Sequence, residues 1–196
     1  MRSSTATFYN RFSLFYPLID LFLQPQKKRL FTEINKLRPG KLLEIGVGNG
    51  AHLKQYSTHS IIGIDNSGKM LALAKKQAGQ NIALLHMNGE QLLFADQSFD
   101  YIVLSHVIAV VQNPERLLEE AHRVVKPGGQ VFILNHFTPD NWLKYADNCF
   151  SFLAKRFHFR SAFYMNELDA FKKFTLMKEI SFGRLSYFKL LIYRRP

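Results

Sequence analysis

The densest chemistry in this chain lies in nine residues, Leu42-Leu43-Glu44-Ile45-Gly46-Val47-Gly48-Asn49-Gly50. Three glycines directly after a short apolar run let the backbone turn tightly and come close to a ligand. A helix starting there would add bare N–H groups aimed at the same ligand. An acid, Asp65, ends a second apolar run 19 residues after Gly46. Its carboxylate has two acceptor oxygens, enough for the two hydroxyls of a ribose. With Ala51 the loop also satisfies the dinucleotide fingerprint, so by itself it leaves the nucleotide open.

The seven histidines include no His-x-x-x-His pair, so no helical metal site is expected. His106 and His136 follow two further apolar runs, the place where open parallel sheets bind ligands. Either imidazole there could take a proton from an ammonium substrate or hold its head group. For His52, His59, His86, His122 and His158 a structural or solvent-facing place is expected. The single cysteine, Cys149, excludes an internal disulfide and a zinc site of its own. No Ser-His-Asp or Cys-His nucleophile set is evident.

Short apolar runs at 41–45, 60–64, 81–87, 99–104 and 130–134 predict five strands. Helical patterns at 51–56, 69–78 and 114–125 lie between them. In the last, Asn113 caps, Pro114 takes the first turn, and Leu117, Leu118, Ala121, Val124 and Val125 line one face. Lys126-Pro127-Gly128-Gly129 should stop it in a tight turn. Strands alternating with helices predict a parallel sheet covered on both faces. Two more strands, 175–181 and 187–193, are joined by Gly183-Arg184-Leu185-Ser186 and predict an antiparallel hairpin at a sheet edge.

Residues 3–37 read as a broken helix, with an apolar stripe (Phe8, Phe12, Phe15, Tyr16, Ile19, Phe22, Leu23) interrupted by Pro17. Pro25 should open a helix whose apolar face is Leu30, Phe31, Ile34 and Leu37. Another amphipathic helix is expected over 140–157, with Trp142, Tyr145, Cys149, Phe152 and Phe157, and Asn166 should cap a short helix to Lys173.

At 196 residues the chain suits one domain, and 47% hydrophobic with 21% charged residues excludes a disordered or fibrous class. No uncharged apolar run reaches the roughly 20 residues that span a bilayer. The best stretch, 12–23, contains Pro17 and Asp20 and does not read as a signal peptide, so a cytoplasmic protein is expected. The net charge of +11 is segregated: 1–38 holds seven Lys/Arg against two acids, 138–196 eleven against five, and 39–137 eight of each. The two flanks also hold 14 of the 18 phenylalanines. Basic and aromatic together point to an anionic partner with an apolar part, or to a membrane surface.

The order of several motifs resembles the class I S-adenosylmethionine (SAM) methyltransferases. It runs through Glu44-x-Gly46-x-Gly48-x-Gly50, then Gly63-Ile64-Asp65-Asn66-Ser67 with Met70, then Met87-Asn88-Gly89-Glu90. It continues in Ser98-Phe99-Asp100-Tyr101-Ile102-Val103 and Arg123-Val124-Val125-Lys126-Pro127-Gly128-Gly129, covering 38–137. A short-chain dehydrogenase would need Tyr-x-x-x-Lys, which is absent. The resemblance implies a Rossmann-like α/β fold, with a seven-stranded, mostly parallel sheet and an antiparallel terminal hairpin. It implies SAM as cofactor, S-adenosylhomocysteine as product, and no metal. The implied domain is single, with an amino-terminal lid or membrane-facing segment (1–38), a SAM-binding core (39–137) and substrate-side helices with the hairpin (138–196).

The resemblance also implies roles. Residues 46–50, Asn49 among them, would pass under the methionine part of SAM, with Glu44 orienting its amino group through water. Asp65, beside Asn66, would accept from both ribose hydroxyls. Met70 would pack on the adenine, Asn88 would bind its amino group, and Gly89 and Glu90 would lie alongside. Ser105 and His106 would sit by the transferred methyl.

Tyr9-Asn10-Arg11-Phe12 through Tyr16-Pro17-Leu18-Ile19-Asp20 resembles the amino-terminal segment of bacterial phosphatidylethanolamine N-methyltransferases. His106 to Arg116 and Asn135-His136-Phe137 are similar to theirs too. At Tyr16-Pro17 those enzymes more often carry Tyr-Asp, so no role for that acid is carried over. Tyr9 or Tyr16 would close over the SAM carboxylate, and His106, His136 and Tyr16 form the expected catalytic set. The expected acceptor is a phospholipid amine, with the flanks on the inner face of an anionic membrane. A soluble small molecule, a quinone-like ring, or a non-catalytic SAM-binding module are the alternatives. A nucleic-acid substrate is not expected, because Asn113-Pro114-Glu115 does not match the Asn/Asp-Pro-Pro-Tyr/Phe signature of base-amino methylation. The oligomeric state is left open, a monomer included.

Overall fold

The computed structural model describes residues 16–136, 168–182 and 188–196. Helix α1 (Tyr16–Ile34) leads into strand β1 (Lys41–Ile45), a 3-10 turn (Leu53–Gln55), β2 (Ser60–Asp65) and α2 (Gly68–Lys75). Strands β3 (Ile82–His86) and β4 (Phe99–Ser105), helix α3 (Pro114–Val124) and β5 (Val125–His136) follow. A second 3-10 turn (Asp169–Lys173) precedes β6 (Thr175–Phe182) and β7 (Phe188–Arg194).

The strands form one seven-stranded sheet in the order β3-β2-β1-β4-β5-β7-β6. The first five are parallel, and β7 runs antiparallel to both β5 and β6. Strand β1 pairs with β2 on one side and β4 on the other, so the chain reverses its winding direction at β1. Such a reversal opens a crevice at the carboxyl ends of the strands.

The strands read as near-continuous apolar runs because both faces are covered. Alternate residues serve opposite cores. Leu43, Ile45, Ile102, Leu104, Val131 and Ile133 pack under α3, with Leu117, Leu118, Ala121 and Val124. Leu42, Val103, Phe132 and Leu134 pack under α1 and α2, with Leu30, Phe31, Ile34, Leu71 and Ala74. Truncating any of these large buried side chains to Ala should cost about 2–5 kcal/mol.

Three expectations need correction. Pro25 does not open a helix; α1 runs from Tyr16 through it, with Pro17 in the first turn. An internal proline forfeits one backbone bond. Burial of Leu30, Phe31 and Ile34 beyond it offsets that loss. The helix expected at 51–56 is one 3-10 turn, closed by Leu53 N–H to Gly50 O and Gln55 N–H to His52 O. Residues 126–129 belong to β5, where the register against β4 shifts from Phe99↔Val125 to Tyr101↔Gln130. Asn113 caps α3 as expected, accepting from Arg116 N–H at 3.0 Å. The stripe before Tyr16, the 140–157 helix, Asn166 and the 183–186 turn lie outside the described residues.

Candidate functional site

The glycine loop starts where β1 ends. Gly46 and Val47 N–H both donate to Ile64 O, at 2.8 and 3.1 Å, so the loop leaves the sheet tied to β2. Gly46, Gly48 and Gly50 all have positive φ, at 79°, 57° and 72°. A side chain at Gly46 would place its Cβ 2.3 Å from Val107 Cγ2, whereas at Gly48 it would meet nothing within 4 Å. The loop is therefore closed towards β4 and open above Gly48, a cradle that a larger residue would fill. Asn49 braces it, its Oδ1 accepting from Ala51 N–H at 3.2 Å.

Asp65 stands opposite, at the end of β2. Its Oδ2 accepts from Gly48 N–H at 2.8 Å and its Oδ1 from Ser67 N–H at 2.7 Å. Each carboxylate oxygen keeps a further lone-pair direction for a ligand hydroxyl. Burial pushes the Asp65 carboxyl above its ordinary range, against the lowering effect of the two N–H donors. Ser67 then caps α2, accepting from Met70 N–H at 3.3 Å, which buries Met70 in the first turn beyond Asp65. Asn66 is exposed, and its carbonyl pairs with His86 Nε2 at 3.0 Å.

The loop after β3 brings up the next group. Exposed Asn88 turns the chain by accepting from Glu90 N–H at 3.0 Å, and Glu90 Oε1 accepts from Gln112 N–H at 2.9 Å. A Cβ on Gly89 would lie 2.6 Å from Ile45 Cγ2, so this loop is pressed onto the end of β1. Arg123 on α3 anchors the rest of it. Its guanidinium donates to Leu92 O, Phe94 O, Asp96 and Glu120. That set of acceptors holds Glu120 below its ordinary range and raises Arg123 further.

On the other side of the crevice, β4 ends at Ser105, whose Oγ is buried with no hydrogen-bond partner among the described residues. His106 follows with φ 58°, unusual for a residue with a side chain. Its N–H donates to Leu134 O at 2.7 Å, and its ring meets Phe188 edge-on at 6.0 Å. Asn135, at the end of β5, is 1% exposed. His136 is the last residue of β5, and its side chain lies outside the described residues, as does all of Tyr9. Tyr16 is the first residue of α1.

Glu44 lies beneath the loop, 1% exposed, with Oε1 2.7 Å from His52 Nε2 and Oε2 accepting from Tyr56 OH at 2.9 Å. His52 was expected in a structural or solvent-facing place, and Tyr56 was given no role. Their signal was faint: a buried acid on β1 needs donors, and His52 and Tyr56 stand four residues apart just after the glycines. Burial and the neighbouring Glu44 carboxylate together raise the Tyr56 hydroxyl well above its ordinary pKa. His59 is buried too and pairs with Ile34 O at 3.1 Å, while His122 packs edge-on to Phe174 at 5.1 Å, both structural places. His158 is outside the described residues.

Among the described residues no group of His, Cys, Asp or Glu is arranged to hold a metal. No helix among them is long and apolar enough to cross a membrane.

Residues 43–133 match the family model of a methyltransferase domain. The chain is 34% identical over 138 residues to a phosphatidylethanolamine N-methyltransferase of Cereibacter sphaeroides, covering 67% of this chain and 68% of that one. It is 36% identical over 110 residues to a ubiquinone/menaquinone biosynthesis C-methyltransferase of Geotalea daltonii, 51% of this chain and 47% of the relative. The chain thus spans about half the length of that second relative. Among solved structures, a SAM-dependent methyltransferase from Thermotoga maritima superposes with a TM-score of 0.73 at 21% identity, covering 97% of this chain and 99% of the other. That likeness concerns the fold.

Proposed function

This chain belongs to the class I SAM-dependent methyltransferases, and on that premise we propose that it methylates the amine of a phospholipid head group of the phosphatidylethanolamine type. The observation that carries the acceptor is the match to the phosphatidylethanolamine enzyme, which extends over two thirds of both chains and so beyond the 43–133 domain. The segregation of positive charge and phenylalanine into the two flanks suits the phosphate and acyl chains of such an acceptor.

The residues present fit the cofactor. Asp65 would offer an oxygen to each ribose hydroxyl, the open backbone at Gly48 would take the methionine part, and Met70, Asn88 and Gly89 would border the adenine. When bound, SAM supplies a methyl on a positively charged sulfur that leaves without a covalent protein nucleophile. The protein's work is then alignment, which suffices for large accelerations. On the acceptor side an ammonium must lose its proton before nitrogen can attack. His106 and His136, at the ends of adjacent strands β4 and β5, are the imidazoles assigned to receive it. Ser105 adds a hydroxyl whose bonding capacity no described residue uses. Tyr9 or Tyr16 would close over the SAM carboxylate. The flanks dock the enzyme peripherally on the inner face of an anionic membrane, so that the lipid need not leave the bilayer.

A quinone ring is the second reading, favoured by the 36% identity to the ubiquinone/menaquinone enzyme. Incubation with methyl-labelled SAM and vesicles of phosphatidylethanolamine and phosphatidylglycerol decides between them. Label in N-methylated phosphatidylethanolamine, absent with Asp65→Ala, is expected. Label only in an added demethylated quinone would replace the lipid reading. Reversing the charges of Lys27, Lys28 and Arg29 should weaken vesicle binding at least threefold, and unchanged binding would remove the docking role.

A further inference from the structure

Glu44 is the one carboxylate side chain among the described residues that is fully buried. Such a charge is costly in the interior unless donors meet it. Both its oxygens are met, by His52 Nε2 at 2.7 Å and Tyr56 OH at 2.9 Å. The placement of the donors is informative. Glu44 precedes the glycine loop on β1, while His52 and Tyr56 follow it on either side of the 3-10 turn. The two bonds therefore tie the entry of the loop to its exit. Tyr56 leaves the turn extended, at φ −74° and ψ 135°, which carries its hydroxyl back to Glu44. Phe31 of α1 seals the cluster, edge-on to Tyr56 at 4.8 Å and tilted against His52 at 5.8 Å.

We propose that His52 and Tyr56 are positioning residues for the cofactor: by clamping the Glu44 carboxylate they hold both ends of the 46–50 loop, so that its backbone is set for SAM before SAM arrives. The clamp keeps Gly48 N–H on Asp65, at 2.8 Å, and leaves the space above Gly48 open. With Glu44 ionised, His52 must carry its proton on Nε2 to donate, so a side chain with an N–H at that point can replace it and an apolar one cannot. The proposal rests on the family's cofactor and not on the phospholipid acceptor. SAM binding is read with no acceptor present, so failure of the lipid assay leaves it standing.

The test is calorimetric SAM titration of the full chain as Tyr56→Phe, His52→Leu and His52→Gln, with thermal unfolding and near-ultraviolet dichroism as controls for the fold. A hydrogen bond to a charged group is worth roughly a tenfold change in affinity. Tyr56→Phe and His52→Leu should each raise the SAM Kd by about tenfold or more. His52→Gln, keeping a donor, should return it to within about threefold of the parent. A clamp that only supports the core would lower the melting temperature of all three and leave Kd alone. Should Tyr56→Phe fail to fold, the pair of His52 variants carries the test. Kd values within twofold of the parent for His52→Leu, or no recovery with His52→Gln, would overturn the proposal.

Discussion

The rim of the sheet has two halves of opposite character. At the ends of β1 and β2 every carboxylate oxygen is held by a donor from within the chain: those of Glu44 by His52 and Tyr56, those of Asp65 by Gly48 and Ser67. At the ends of β4 and β5 the chain instead offers a strained backbone at His106, with φ 58°, and an Oγ on Ser105 that no described residue engages. The first half is pre-organised and needs no ligand to take its shape. The second keeps bonding capacity in reserve, as a site must if different acceptors are to be served by one fold. The halves touch at Gly46, which lies against Val107, the residue after His106.

Gly46→Ala should have the largest effect, because it strikes both halves. The new Cβ would sit 2.3 Å from Val107 Cγ2 at a φ of 79°. Unfolding in denaturant should show a loss of about 2–4 kcal/mol, from overpacking plus left-handed strain. Adding Val107→Ala should recover the overpacking part alone, which measures how tightly the halves are joined.

Arg123→Ala sharpens the contrast from the loop that follows β3. Removing the bonds to Leu92 O, Phe94 O, Asp96 and Glu120 should cost about 1–3 kcal/mol in the same assay. SAM affinity should fall with it, since Asn88 and Gly89 ride on that loop. Unchanged affinity would detach the loop from the cofactor side.

The pH dependence is smaller and has a definite sign. Burial raises the folded-state pKa of Asp65 above the ordinary 3.8. SAM affinity should therefore fall severalfold as pH drops through that raised value, because a protonated carboxyl cannot accept from two hydroxyls. For stability the sign is opposite. Asp65 favours the folded state fully below pH 3.8, and that contribution is lost as pH rises through the raised value. Asp65→Asn should flatten both profiles, measured by titration and by melting across pH.

His106→Gly should have the smallest effect on the fold. Glycine relieves the left-handed strain but gives up the contact with Phe188, so unfolding free energy should stay within about 1 kcal/mol of the parent. A larger loss in denaturant unfolding would mean that the imidazole is structural.

The pre-organised half was the more legible in sequence. The glycines and the acid ending β2 act over short distances, and β1 was found at its observed bounds. Strand alternation and the hairpin gave the sheet, and the structure supplied its order. Tyr56 stayed hidden because its contact depends on a 3-10 turn that a helical pattern disguises. The continuation of α1 through Pro25 was hidden for a different reason. Packing of Leu30, Phe31 and Ile34 on the sheet outweighs the local penalty of proline. The register shift that turns 126–129 into strand also rests on pairing with β4 and with the Arg195 backbone, neither of which is local.

The division of the rim is tested most directly by measuring SAM affinity and single-turnover methyl transfer to phosphatidylethanolamine for Asp65→Ala and His106→Ala side by side. Asp65→Ala should weaken SAM by on the order of a hundredfold, the loss of two bonds to a charged group. His106→Ala should bind SAM within about threefold of the parent and transfer methyl at least a hundredfold more slowly, the scale of a lost proton acceptor. If His106→Ala weakens SAM as much as Asp65→Ala, or leaves transfer untouched, the two halves do not divide the work as described.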